Sequence, residues 1–255
     1  MTTAKTTGDR ILGGRISLLQ PEKGYRAAID PVFLGAAVPA AAGDSVLDLG
    51  CGTGAAMLCL AARVPDCTVL GLEIQQEMAA LALENIARNG FAESLSVMEG
   101  DIAHPPAALL GQRFSHVMAN PPYLRGGQAS ASPHGGKTVA HVEGEADLAR
   151  WACLAARVLK PRGSLTFIHR ADRLADVLAA MGKSFGGIAV FPLWPKADGE
   201  AGRVIVRGDL ASRAPMSLMA GLVLHGADGA YTPEADSILR GGEAVPVLAK
   251  KKPLS

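Results

Sequence analysis

The sequence predicts an α/β fold: a seven-stranded, mostly parallel sheet with helices on both faces. Three observations predict it. Short apolar runs of strand length alternate with Ala- and Leu-rich stretches of helix length between Val46 and Arg207. The first run, Val46-Leu-Asp-Leu, passes straight into Gly50-Cys-Gly-Thr-Gly54, and a helical stretch opens at Ala55. Four polar residues, Asp48, Glu73, Asp101 and Asn120, each fall at the carboxyl end of one such run, where open α/β sheets bind their ligands.

Taken in order, residues 1–13 are polar and Thr-rich, and mobility is expected of them. Arg15-Ile-Ser-Leu-Leu and Tyr25-Arg-Ala-Ala, separated by Pro-Glu-Lys-Gly, predict a small hairpin. Asp30-Pro31 predicts a helix start, with Asp as N-cap and Pro in the first turn. After the central strand and its helix, strands are predicted over 68–73, 95–99, 114–119, 164–169, 187–191 and 203–207, the last pair antiparallel. Helices are predicted over 75–89, stopped by Asn89-Gly90, and over 147–159 and 172–181. Residues 124–146, rich in Gly, Ser and Pro, predict a long loop of the functional or disordered kind, ordered by its substrate. Residues 211–255 hold only short apolar pieces and are expected to wrap the surface. The organisation expected is therefore an N-terminal hairpin and helix (1–44), a core domain (45–210) and a C-terminal extension (211–255).

Composition narrows the function classes. Lys and Arg number 25 against 24 Asp and Glu, so no global basic field advertises nucleic-acid binding, and any such contact must be local. No window is long and apolar enough to cross a bilayer, and residues 1–15 lack the apolar segment of a signal peptide, so a cytoplasmic protein is expected. Cys51, Cys59, Cys67 and Cys153 form no C-x-x-C pair or metal spacing and read as reduced, buried small apolars. No metal is expected, and monomer and dimer both stay open.

Gly50, Gly52 and Ala55 satisfy the loose dinucleotide pattern G-x-G-x-x-G/A, so a nicotinamide cofactor has to be weighed. The flanking acids argue otherwise. A carboxylate at Asp48 would repel a pyrophosphate and suits an amine-bearing ligand. Glu73, closing the next strand, suits hydrogen bonds from ribose hydroxyls. Asp48, the glycine run and Glu73 at this spacing resemble the Rossmann-like class I S-adenosyl-L-methionine (SAM)-dependent methyltransferases.

Asn120-Pro121-Pro122-Tyr123 resembles the [DNS]-P-P-[YFW] signature of methyltransferases that act on nitrogens of planar, conjugated groups. Such a nitrogen has a delocalised lone pair and is a poor nucleophile. The Asn120 carboxamide oxygen and the Pro121 carbonyl can accept its two N–H groups, holding it in line and favouring the positive charge that develops. Pro121 and Pro122 fix the backbone, and Tyr123 offers a flat face for stacking.

The chain as a whole resembles the bacterial adenine-N6 methyltransferases of tRNA1(Val). The likeness runs through Tyr25-Arg-Ala-Ala-Ile-Asp30-Pro-Val-Phe-Leu-Gly, Asp48 to Gly54, Glu73, Gly100-Asp101 and Asn120 to Tyr123. It extends to an altered post-motif segment, Lys137-Thr-Val-Ala-His141-Val-Glu143, and to Pro192-Leu-Trp-Pro with Arg203-Val-Ile-Val. That resemblance implies SAM as methyl donor and an RNA, of tRNA type, as acceptor. It places Asp48, Gly50, Cys51, Gly52 and Gly54 around the methionine part, Glu73 and Ile74 at the ribose, Asp101 and Ile102 at the adenine ring, and Asn120 between cofactor and acceptor. His104, His116, His134, His169 and His225 receive no role, and Lys250-Lys-Lys reads as a solvated tail or an RNA contact. Glutamine-N5 methylation of release factors and guanine-N2 methylation of ribosomal RNA use the same motif. The former is disfavoured because only 45 residues precede the central strand, the latter because no duplicated domain is visible. A non-enzymatic SAM binder has no use for the Asn-Pro-Pro-Tyr geometry.

Overall fold

The computed structural model describes residues 5–22, 29–122 and 147–245. Tyr123, Arg125, Lys137, His141, Glu143, the loop expected over 124–146 and Lys250–Lys252 lie outside the described residues. The chain opens with a hairpin in which Thr6–Ile11 (β1) pairs antiparallel with Ile16–Pro21 (β2). This corrects one expectation, since residues 6–11 form a strand and pair with 16–21; residues 25–28, the partner expected for that segment, lie outside the described residues. The strand is hidden in the sequence because β1 alternates exposed and half-buried positions that are mostly polar, with Ile11 its one large apolar residue. β2 anchors the hairpin through Ile16 and Leu18, at 1% and 0% exposure. Burying side chains of that size is worth roughly 1.5–3 kcal/mol each.

Asp30–Ala37 (α1) follows and is buried along its whole length, as its apolar sequence requires. Ile29 occupies the N-cap and Asp30 is the first helical residue, so Asp30 is not the cap the sequence suggested. Its carboxylate serves an ion pair described below.

The core then alternates. Ser45–Leu49 (β3) leads into Ala55–Arg63 (α2), Thr68–Glu73 (β4), Gln76–Arg88 (α3), Leu95–Glu99 (β5), the short Ala107–Leu110 (α4) and Phe114–Ala119 (β6). Leu148–Val158 (α5), Leu159–Arg170 (β7), Leu174–Met181 (α6), Phe185–Trp194 (β8) and Arg203–Leu210 (β9) complete it. Val46 of β3 joins the core under α1 and α2, whereas Leu47 and Leu49 join the one under α5 and α6. A strand apolar toward both faces is the mark of a covered parallel sheet.

With Ser217–Leu218 as β10, the strand order is β10-β8-β9-β7-β6-β3-β4-β5. β3 lies between β4 and β6, parallel to both, while β9 runs antiparallel to β7 and β8. From β3 the chain winds outward through β4 and β5, then returns to β6 on its other side. The crevice of this switch point opens at the carboxyl ends of β3 and β6. All seven expected strands are present, but the sheet has nine, because Ser217–Leu218 (β10) and Leu222–Val223 (β11) add to its β8 edge. Pro233–Leu239 (α7) packs under α1 and brings Ala235, Ile238 and Leu239 into the core, whereas most of 211–223 lies exposed or half-buried. Two-residue strands carry no readable periodicity. The helix did signal itself, through Thr232 as N-cap, whose hydroxyl accepts the Ala235 N–H at 3.2 Å, and Pro233 behind it.

Candidate active site

The glycine turn is built by backbone that side chains would obstruct. Gly50, Gly52 and Gly54 have φ of 63°, 56° and 82°, the left-handed region. A Cβ on Gly50 would sit 2.7 Å from the Trp151 ring of α5, whereas one on Gly52 would meet nothing within 4 Å. The turn is therefore packed from behind and open in front. Glu73 fixes it: Oε2 accepts the Gly52 N–H and Oε1 the Gln75 N–H, both at 2.9 Å. The ribose role expected of Glu73 must be shared with this task, since a carboxylate has about four acceptor positions and two are taken.

Asp48 is 2% exposed, and its Oδ2 is buried without a hydrogen-bond partner. Burial, and then the charge of Glu73, raises its pKa well above the carboxylate range. An orphaned acceptor beside a second acid is a costly arrangement that a cationic ligand would relieve. Cys51 lies folded back on β4: a Cβ on Gly71 would fall 2.5 Å from its Sγ. Burial, with Asp48 and Glu73 nearby, pushes its thiol pKa well up, so it is an inert filler of the turn. Ile74 is 61% exposed, an apolar surface standing beside Glu73 at the strand end.

Asp101 closes its own turn, Oδ1 accepting the Ala103 N–H at 2.8 Å and Oδ2 meeting His104 Nδ1 at 3.0 Å. Partial burial raises its pKa, but these two hydrogen bonds, with the charges of His104 and Arg150, outweigh that and leave it lowered. Ile102 is half-buried against the core beneath α5. Cys153 is exposed, which corrects its reading as buried; Cys59 and Cys67 are buried as expected.

Asn120, Pro121 and Pro122 leave β6 next to the glycine turn, Ala119 standing in register with Leu49. On the far side of Asn120 lies β7, whose His169 is fully buried. The Arg170 N–H donates to its Nδ1 at 2.9 Å, which puts the ring proton on Nε2. Burial, then the charge of Arg173, lowers its pKa to about 4, although the Pro122 backbone and Arg170 pull the other way. The ring is thus a neutral, single-tautomer group set against the Pro-Pro turn. One strand further, Arg203 Nε donates to Asp30 Oδ2 at 3.0 Å, tying the start of α1 to the start of β9.

A family model described as "Methyltransferase domain" matches residues 40–186, more than half of the chain. The chain belongs to this methyltransferase family. The methyltransferase is 35% identical, over 60% of its length and 61% of the relative's, to a "tRNA1(Val) (adenine(37)-N6)-methyltransferase" of Porphyromonas gingivalis. To the Aeromonas salmonicida protein of the same name it is 28% identical, over 81% of this chain and 85% of that one. Among solved structures, a "predicted O-methyltransferase, protein Atu636 from Agrobacterium tumefaciens" superposes with a TM-score of 0.71 at 27% identity, covering 88% of this chain and all of that one. The chain spans about 61% of the length of the first of these relatives.

Sequence reasoning missed four supports of the methyltransferase's site. Asn85, fully buried in α3, donates to the Thr53 carbonyl of the glycine turn and to Leu19 O, both at 3.0 Å, and accepts the Leu19 N–H at 2.7 Å. Asn89, one turn on, pairs with Ser17 N–H and C=O at 2.9 and 2.8 Å. The two amides thus extend the edge of β2 as a mock strand, and Asn at i and i+4 was the available signal. Trp151 behind Gly50 and His169 behind Pro122 had none, since their contacts come from distant segments. Among the described residues no helix is long and apolar enough to cross a membrane, and no three His, Cys, Asp or Glu side chains group as metal ligands.

Proposed function

We propose that the protein is a SAM-dependent N-methyltransferase acting on the N6 amino group of an adenine in a tRNA of the tRNA1(Val) type. One observation carries the reading. The turn bearing Asn120, Pro121 and Pro122 leaves β6 directly beside a glycine cradle whose buried Asp48 has an unmet acceptor oxygen. The names and likeness of the tRNA-modifying relatives support it.

The residues present fit SAM. Asp48 would meet the positively charged methionine end, Gly50, Cys51, Gly52 and Gly54 would give backbone access, and Glu73 with Ile74 would hold the ribose side. Asp101 and Ile102 would border the adenine ring, Ile102 through apolar contact and Asp101 mainly by shaping the turn. When bound, SAM supplies an electrophilic sulfonium methyl. The protein's own part is orientation. The Asn120 carboxamide oxygen and Pro121 carbonyl accept the two N–H groups of the adenine amine, which points its lone pair along the line of transfer and stabilises the developing ammonium. The surplus proton leaves to water, because an N-methylated amine bearing positive charge is strongly acidic when conjugated to a ring.

The test is nucleoside mass spectrometry of tRNA incubated with the protein and methyl-labelled SAM. Labelled N6-methyladenosine is the expected product. Label confined to protein glutamine, or to guanine, would overturn the assignment.

A further inference from the structure

A cavity of about 440 Å³ lies between the N-terminal hairpin and the C-terminal helix, away from the glycine cradle. That volume falls within the range of small-ligand sites, roughly 300–1,000 Å³, and its lining is mixed, with Ile11, Leu12 and Leu239 beside charged groups. Arg10 and Arg240 line it together with Tyr231, Asp9, Ile29 and Val32.

Two guanidinium groups, Arg10 and Arg240, stand here with two carboxylates, Asp9 and Asp236, each of which already has a partner. Asp9 is already engaged, its Oδ2 accepting the Gln20 amide at 2.9 Å. Arg240 meets Asp236 at 3.1 Å, an exposed i,i+4 pair with side chains 67% and 42% accessible, which competes weakly with a phosphate. Arg10 stands exposed on β1. Tyr231 is held flat by stacking on His225, ring centroids 4.8 Å apart and planes 25° from parallel. His225 is pinned in turn by Nδ1 against the Pro195 carbonyl at 3.1 Å. Two guanidinium groups and a pre-oriented aromatic ring in one concavity are what a nucleotide chain recognises: phosphate on the forks, a base on the ring.

Neighbouring residues link the groove to the end of the sheet that carries Asn120. Ile29 and Val32 flank Asp30, which Arg203 bonds at 3.0 Å, and Arg203 stands in register with Arg170 at the end of β7. β7 is the neighbour of the strand that delivers Asn120. With a net charge of only +1, affinity for a polyanion has to come from such local placement.

We propose that this groove binds a stretch of the RNA substrate flanking the target nucleotide, with Arg10 and Arg240 on phosphates and Tyr231 beneath a base. The inference rests on the RNA reading above. The experiment measures tRNA binding at several salt concentrations for the parent and for the Arg10→Ala/Arg240→Ala double variant, with S-adenosylhomocysteine binding measured on both. The expected result is an RNA affinity about tenfold weaker, and a log–log salt slope smaller by about 1–2, with the nucleoside ligand bound as before. Tyr231→Phe should keep RNA affinity and Tyr231→Leu should lose it by about fivefold or more. Unchanged RNA affinity and slope in the double variant would overturn the groove while tRNA labelling by the parent persists. Equal losses of RNA and S-adenosylhomocysteine binding would overturn it too, by marking a general defect. A parent that binds no tRNA would overturn the RNA reading itself.

Discussion

The two halves of the candidate site are built by different means. On the cofactor half, the ends of β4 and β5 present polar groups that are tied to backbone: Glu73 to Gly52 and Gln75, Asp101 to Ala103. On the acceptor half the parts come from far apart in the chain, with Asp30 held by Arg203 and the Pro122 turn facing His169. The first half is closed by hydrogen bonds within one contiguous stretch of chain, Gly52 to Ala103, with Trp151 of α5 packed behind it. The second is assembled only when α1, β6, β7 and β9 have docked. A ligand-binding half can therefore survive changes that disable the acceptor half, and single substitutions should separate the two.

The largest separation is expected at Asn120. Asn120→Ala should leave SAM affinity within about twofold while transfer falls at least about a hundredfold, since one aligned polar group in a dry site is worth on the order of 3 kcal/mol in the transition state. Asn120→Asp keeps an acceptor oxygen and should retain measurable transfer. Single-turnover rates beside calorimetric affinities check both, and parent-like rates in the two variants would reduce Asn120 to a turn residue. The mirror experiment is Glu73→Ala. It should weaken SAM by about tenfold to a hundredfold, because charged acceptors contribute about 1.5–3 kcal/mol per hydrogen bond and the Gly52 N–H loses its anchor as well. Unaltered calorimetric affinity would remove Glu73 from the cofactor half.

The same contrast explains what was legible in the sequence. Asp48, the three glycines and Glu73 can be read off because strand, turn and helix are contiguous and each signal lies within one element. The seven main strands were legible for the same reason, as apolar runs bounded by turns. His169, Trp151 and the Asp30–Arg203 pair were not, because their meaning depends on strand order, and order is decided by which faces the helices cover. β1 escaped because its polar residues need only half-burial, which leaves no hydrophobic period to detect. α7 was legible through its Thr232-Pro233 start but was outweighed by the Gly-rich chain around it.

A third measurement probes the acceptor half through proton linkage. His169 has a native pKa of about 4 against an ordinary 6.5, so between those values the unfolded chain binds the proton that the folded one refuses. Stability should accordingly fall as pH drops through that window, by on the order of 2 kcal/mol from pH 7 to 5. Denaturant unfolding of the parent and of His169→Gln checks this. The variant should lose that part of the pH dependence while keeping the neutral side chain that the turn requires. Equal pH slopes in both proteins would mean that His169 titrates as an ordinary histidine.

The smallest effect tests the cofactor half in the same currency, with the opposite sign. In the free protein, burial and Glu73 hold Asp48 protonated well above the usual carboxylate range. A positively charged group placed against its unpaired Oδ2 would favour the ionised form, so binding should release up to one proton. The affinity for SAM must then rise with pH for as long as Asp48 is protonated free and ionised bound, by at most tenfold, or about 1.4 kcal/mol, per pH unit. Above the free-state pKa the rise ends. Calorimetry in two buffers of different ionisation heat counts the proton directly, and Asp48→Asn, which cannot ionise, should bind more weakly and without that release. S-adenosylhomocysteine keeps the same ammonium but lacks the sulfonium charge, so it should release as many protons as SAM if the methionine amine is the partner of Asp48. A proton count of zero for both ligands would place their charge elsewhere, and the orphaned oxygen would then be a feature of the sheet and not of the site.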